Sequence, residues 1–341
     1  MLLIVVLFKG EEERDVFQLH FTSWASHTQP FTNALLDFRR REAYKFVYET
    51  LEEAYVCGKT WFPVSELSEQ LKFKSAKNPI TKVNEYQKEY EVRKICKMSS
   101  KLSIGDCAGG HRPENRDKNR DVATVPPDNF RPYLTSFQSN DNTDYINAVF
   151  VDGYSRSKEY IVTEWPMVRT AQDLWSLVYD HDCNSVIVLC NPPPSNVVSL
   201  TELMAGVKAE PKTTQIFQIT CWPERHKVPT STNTLVELMN MVERWRQRTT
   251  YGPVLVISTN GKSRAGVYCA ANVAIEQVVE HGEVDVFQAV RTVRRHRPQL
   301  VENMASIINI VRHTRLSRVG TEYKYCYDLI QHYVLHYLNK E

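Results

Sequence analysis

The sequence predicts an α/β fold, on three observations. Strand-like and helix-like stretches alternate along most of the chain, the pattern of a sheet flanked by helices. "PVLVIS" (253–258) is a continuous apolar run, as expected of a strand covered on both faces. It breaks into a short polar loop, and a long helix-like stretch follows at 265–281.

The 341 residues allow one large or two small domains, and 42% apolar with 24% charged residues matches ordinary soluble globular proteins. A formal net charge of +2 offers no global electrostatic case for nucleic acid. Eight cysteines lie far apart without a C-x-x-C pair, so zinc and redox sites are disfavoured and buried free thiols are expected. No metal or cofactor is expected.

The opening "MLLIVVLFKG" has an apolar core, Leu2 to Phe8, too short to span a bilayer. It lacks a basic leader and a small-residue cleavage site, and reads as a truncated strand or a start-site accident. As written, the chain is expected to be soluble and intracellular. "EAYKFVYETLEEAYVCG" (42–58) predicts a helix ended by Gly58. "NPITKVNEYQKEYEVRKICKM" (78–98) predicts an amphipathic helix. Residues 104–132, rich in Gly, Pro, Asn, Asp and Arg, predict an extended loop.

"DYINAVFVDGY" and "KEYIVTEWP" predict paired strands with a turn at Asp152-Gly153. "AQDLWSLVYDH" is a helix, "SVIVLC" a short strand stopped by Pro192-Pro193-Pro194, and "IFQITCW" another strand. "TNTLVELMNMVERWRQ" puts Leu235, Leu238, Met239, Val242 and Trp245 on one helical face, which core packing explains fully. Helices follow at 265–281 and 284–297, the second stopped by Pro298, and "TEYKYCYDLIQHYVLHYL" closes the chain as a helix.

The loop after "PVLVIS" carries the chemistry. A strand, a glycine-bearing loop and a helix N-terminus form an anion site, with loop amides and helix dipole as donors. Gly261, Lys262 and Ser263 lie in that loop, and Arg264 supplies a bidentate fork for phosphate oxygens. A nucleotide-binding P-loop needs a glycine five residues before Gly261, where Val256 stands. A serine-hydrolase elbow needs glycines flanking the serine at two residues' distance, where Val256 and Asn260 stand.

Ser258 and Arg264 match the C-x5-R pattern of protein tyrosine phosphatases with serine in the cysteine's place. "GDCAGGHRPENRDKNRDVATVPPDN" resembles that family's K-N-R loop, and "DYINAVFVDGY" its N-Y-I-N-A strand pair. "YIVTEWPMVRTAQDLWSLVYDH", "TCWPERHKVP", "VDVFQAVRTVRRHRPQLVEN" and "EYKYCYDLIQHYV" resemble, in order, its Y-I-x-T-Q-x-P segment, its W-P-D loop and its C-terminal helices. These motifs run in the family's order over most of residues 80–341. The likeness is closest to the membrane-distal second domain of tandem receptor-type phosphatases, which commonly carries W-P-E. It implies a central mixed twisted sheet flanked by helices. Only residues 191–213 join "VIVLC" to "IFQITCW", so some strands should be missing.

"FQLHFTSWASHTQPFTNALLDFRRR" resembles the W-P-D segment of a first phosphatase domain, and 42–58 its last helix. Residues 1–60 thus read as a truncated remnant of a first domain, and 61–341 as the second. A genuine short form and an incomplete gene model both fit. A longer family form would be a single-pass membrane receptor with this part on the cytoplasmic side.

By resemblance the catalytic positions are Ser258 (nucleophile), Glu224 (general acid) and Glu302 (water positioning), with Asn119, Arg120 and Asp121 in the substrate-recognition loop. Each departs from what the chemistry needs. A loop cysteine loses its proton near neutral pH, whereas a serine hydroxyl starts far higher. Ile257 replaces the tuning histidine, and Ala265 removes a hydroxyl. Glu224 sits in a loop one residue longer, and a misplacement of about 1 Å can cost on the order of 10²-fold. In the remnant, Ser26 holds the acid's place. Asp121 replaces a stacking tyrosine and repels phosphate. Glu302 replaces a glutamine. The stretch 304–320 has no counterpart in the family, and its Arg312, Arg315 and Arg318 are read as a solvated face, with a binding face as the alternative.

The expectation is an inactive phosphatase domain acting as a regulatory or phosphotyrosine-binding module. The expected partner is a phosphatase domain of the same or another receptor, or a phosphotyrosine protein. The alternatives are a phosphatase with residual activity and a non-functional fragment. Arg264 either binds an anion or pairs with Glu224 or Asp121.

Overall fold

The structure is a computed structural model. It describes residues 2–9, 12–19, 47–48, 50–51, 54–55, 57–81, 83–90, 103–135, 144–191, 212–223, 226, 228–249, 252–301 and 321–338. Backbone contacts divide the chain into two units, Met1–Tyr55 and Val56–Glu341.

In the first unit, β1 (Leu2–Lys9) pairs antiparallel with β2 (Glu12–Leu19), from Leu2 opposite Leu19 to Lys9 opposite Glu12. The opening apolar run is therefore a strand. The segment "SWASH" with Ser26 lies outside the described residues.

Among the described residues, the second unit holds a five-stranded mixed sheet in the order β4-β5-β8-β6-β7. β4 (Ala148–Val151) runs antiparallel to β5 (Tyr160–Glu164). β8 (Val254–Ser258) lies at the centre, parallel to β5 and to β6 (Ser185–Val188), and β7 (Gln215–Gln218) flanks β6. A short pair, β3 (Phe62–Pro63) with β9 (Glu283–Val284), lies apart from it. All five residues of β8 are buried, whereas β7 at the edge is largely exposed. That contrast is what the continuous apolar run of β8 dictates.

Successive side chains of a strand point to opposite faces. Val254 and Val256 accordingly enter one apolar cluster, and Leu255 and Ile257 the other. The first cluster packs under α4 (Thr232–Arg246), α5 (Ser263–His281), α6 (Val286–His296) and α7 (Thr321–His336). The second packs under α3 (Ala171–Asp180) with Trp165, Leu174 and Cys190. α5 is buried along most of its length, which explains an apolar composition on nearly all sides. It ends at Gly282, whose φ of +66° is the left-handed conformation that a helix stop favours.

Two expectations need correction. The helix expected from Asn78 begins only at Glu85, as α2 (Glu85–Tyr90), after α1 (Leu67–Ser75). Asn78 Oδ1 accepts the amides of Ile80 and Thr81 and folds this stretch into a turn. Asn84 and Gln87 then exchange side-chain-to-amide bonds that start the helix. Residues 91–98, the rest of that expectation, lie outside the described residues. The second correction is 104–132, which is not simply extended. Ser103 and Asp106 cap a 3-10 turn, Ile104–Cys107, and a helical turn, Ala108–His111, and a 3-10 stretch, Pro113–Lys118, follow. Among the described residues seven cysteines are free thiols, and no helix is long and apolar enough to cross a membrane.

Candidate functional site

Ser258 is the last residue of β8, and Ser263 the first of α5. The loop between them turns at Gly261, whose φ is +61°. A Cβ there would stand 2.8 Å from Arg297 Nη1 and 3.0 Å from the Glu164 amide nitrogen, so only glycine fits. Arg297 is fully buried and donates to the Gly261 carbonyl (2.9 Å) and to Asn147 Oδ1 (2.6 Å). It fixes the loop from below, and burial lowers its pKa from the usual arginine value. Sequence reading passed over Arg297, because nothing local marks an arginine before a proline as a loop support.

Ser258 is buried, and its Oγ has no hydrogen-bond partner among the described residues. Among the described residues, no general base touches the hydroxyl. Ile257, next to it, faces the α3 side and fills the second apolar cluster. The Ile257 side chain is spent on packing.

Two loop amides are already engaged. Gly261 N donates to Ser258 O (3.3 Å), and Lys262 N to Asn260 Oδ1 (3.1 Å). Arg264 is buried and points its fork at main-chain carbonyls. Nη1 donates to Leu189 O (2.8 Å) and Trp222 O (3.1 Å), and Nη2 to Pro223 O (2.8 Å). Its guanidinium carbon lies 5.0 Å from the Trp222 ring centroid. Trp222 is itself buried, with Nε1 donating to His226 O (3.1 Å). The arginine thus clasps the start of the Trp222-Pro223 segment. Glu224, expected as the acid, and Glu302, expected to position water, lie outside the described residues.

The 119–121 segment docks on the end of β5. Asn119 is buried, donates to Gly110 O and Asn115 O, and accepts from Tyr145 OH (2.5 Å). Arg120 N donates to Glu164 Oε1 (2.9 Å), and Arg120 Nη2 to Trp165 O (2.9 Å). Glu164 is the register partner of Ser258, so this brings the segment beside the loop. Burial raises the Glu164 pKa, partly offset by the Arg120 amide. Behind the segment, buried Lys118 Nζ lies 3.0 Å from Asp173 Oδ2 of α3.

Asp121 turns its carboxylate toward the loop. It accepts from the Ala123 amide (2.9 Å), Thr124 Oγ1 (2.9 Å) and Lys262 Nζ (3.2 Å). The Ala123 amide is the largest of the influences that hold its pKa below the ordinary range; the Thr124 hydroxyl and Lys262 add to it. Its partner is therefore Lys262.

The sequence model of the Protein-tyrosine phosphatase family matches residues 115–199 and 195–315. The receptor-type tyrosine-protein phosphatase U of Gallus gallus is 26% identical over 328 residues, 86% of this chain. The receptor-type phosphatase alpha of Homo sapiens is 26% identical over 85% of the chain, and epsilon of Homo sapiens 24% over 97%. The chain spans only 22%, 38% and 49% of those three relatives' own lengths.

Proposed function

Since the chain belongs to the protein-tyrosine phosphatase family, we propose that its loop at 258–264 is a catalytically inactive form of the family's site, serving a regulatory or phosphotyrosine-binding module. The observation that carries this reading is Ser258: a buried hydroxyl at the nucleophile position with no base in contact among the described residues. Neutral serine is a weak nucleophile, and attack on phosphorus needs its proton removed. The usual neighbours that would assist are replaced by Ile257, inside an apolar cluster, and Ala265. Arg264 remains at the start of α5, where helix dipole and guanidinium favour a phosphoryl dianion. An entering anion must compete with the three carbonyls that Arg264 now holds.

In this proposal residues 1–60 are the remnant of a first domain and 61–341 a second, tandem-type one. The partner is then a phosphatase domain of the same or another receptor, or a phosphotyrosine protein.

The test is to incubate the whole chain with a phosphotyrosine peptide, measuring phosphate release and binding, beside Arg264→Ala. The expected result is no release, with binding that Arg264→Ala abolishes. Release that disappears in Ser258→Ala would overturn the proposal and restore an active phosphatase.

A further inference from the structure

One contact at this loop is not explained by a lost nucleophile. Lys262 and Asp121 are 141 positions apart and meet at 3.2 Å, with Lys262 two residues before Arg264 in the chain. Both ends of Lys262 are tied: its amide by Asn260 Oδ1, its ammonium by Asp121. The Lys262 side chain is largely covered, while the Asp121 side chain is half-exposed. The carboxylate is itself fixed by Ala123 N and Thr124 Oγ1, so it is a set piece and not a roaming surface group. At the foot of the same loop lies the buried hydroxyl of Ser258, without a partner among the described residues.

We propose that Asp121 is an internal carboxylate gate, which occupies Lys262 and so withholds a second cationic ligand from a phosphoryl dianion at the loop. The inference rests on the reading of this loop as an anion site. Lys262 is the N-cap of α5 and Arg264 its second residue, so both belong to the loop-to-helix turn at which the proposal places the dianion. With the gate in place, such an ion meets a fixed negative charge and a neutralised lysine. With the gate removed, it meets two cations at a helix N-terminus. The occupant is a phosphoryl dianion, whether free phosphate or a phosphotyrosine ester.

The experiment titrates the whole chain with inorganic phosphate and, separately, with a phosphotyrosine peptide. The variants are Asp121→Asn, Lys262→Gln and the double substitution. Asparagine keeps an acceptor for Ala123 N and Thr124 Oγ1, and thermal unfolding of each variant confirms its fold. The gate predicts about tenfold tighter binding in Asp121→Asn, a gain that vanishes in the double variant. A gain with both probes assigns the gate to the shared phosphoryl group, and a gain with phosphate alone assigns it to the free ion. A gain that persists without Lys262 overturns the proposal, because simple removal of repulsion then explains it. Equal affinity in every variant also overturns the gate but leaves the anion site standing. No binding by any folded variant removes the anion-site reading and the gate together.

Discussion

Replacing Arg264 with Met isolates what the guanidinium holds. Methionine fills the space of the aliphatic stem and adapts to irregular surroundings. The three bonds to Leu189, Trp222 and Pro223 carbonyls are lost. Leu189 and Trp222 are buried, so water cannot readily replace the donor. An unsatisfied buried acceptor costs about 1–3 kcal/mol. Pro223 is exposed, and its oxygen already accepts the His226 amide (3.0 Å), so it adds little. Loss of the stacked cation over Trp222 adds about 0.5–1 kcal/mol. Opposing this, a buried guanidinium is no longer held out of water, which offsets part of the loss. The balance is about 2–4 kcal/mol of destabilisation. Urea unfolding of the whole chain reads it as a lower midpoint at unchanged slope. Arg264→Lys should recover only a fraction, because one ammonium cannot serve three carbonyls in that fan. A loss below about 0.5 kcal/mol in Arg264→Met would refute the clasp as a stabilising contact.

Three further outcomes follow from the same geometry. Ser258→Ala removes a buried hydroxyl without a partner among the described residues, so stability should hold or rise by about 1 kcal/mol in the same unfolding assay, and a clear loss would reveal a bond to that hydroxyl. Gly266→Ala puts a Cβ 2.5 Å from Val301 N and 3.0 Å from Leu300 Cα, both main chain, so α5 and the 300–301 segment must part at a cost of about 1–3 kcal/mol; a thermal midpoint equal to wild type would contradict this. Burial pushes the His296 pKa down to about 4, against the opposing pull of Asp152 and with the help of Arg295. The unfolded chain then binds the extra proton between about pH 4 and 6.5, so stability from this group is present above that window and lost as pH falls through it. His296→Gln should flatten the thermal midpoint across that range, and an unchanged slope would remove His296 as the cause.

The pattern of elements was legible where apolar periodicity was strong. The stretch 254–258 announces a central strand, and 232–246 an amphipathic helix, because both signals are local. The stretch 78–84 misled for an equally local reason: its apolar spacing suits a helix, but Asn78 offers the backbone a competing turn. At the site, Ser258, Ile257 and Asp121 were legible as residue types, because a single residue type decides whether a thiolate, an imidazole or an aromatic ring can stand at a position. Arg297 and Glu164 were not readable as parts of it, since their roles depend on which backbone they reach.

What the sequence determined by itself is the order of strands and helices, a serine hydroxyl at position 258, and an arginine at 264. These depend on side-chain chemistry and short-range spacing. Only the tertiary structure decided which partners the charges take. Arg264 reaches carbonyls 75 and 42 positions away, and Lys262 a carboxylate 141 positions away. The physical reason is that an ion pair or a buried carbonyl contact is set by which segments the sheet brings together, and no local spacing encodes that meeting.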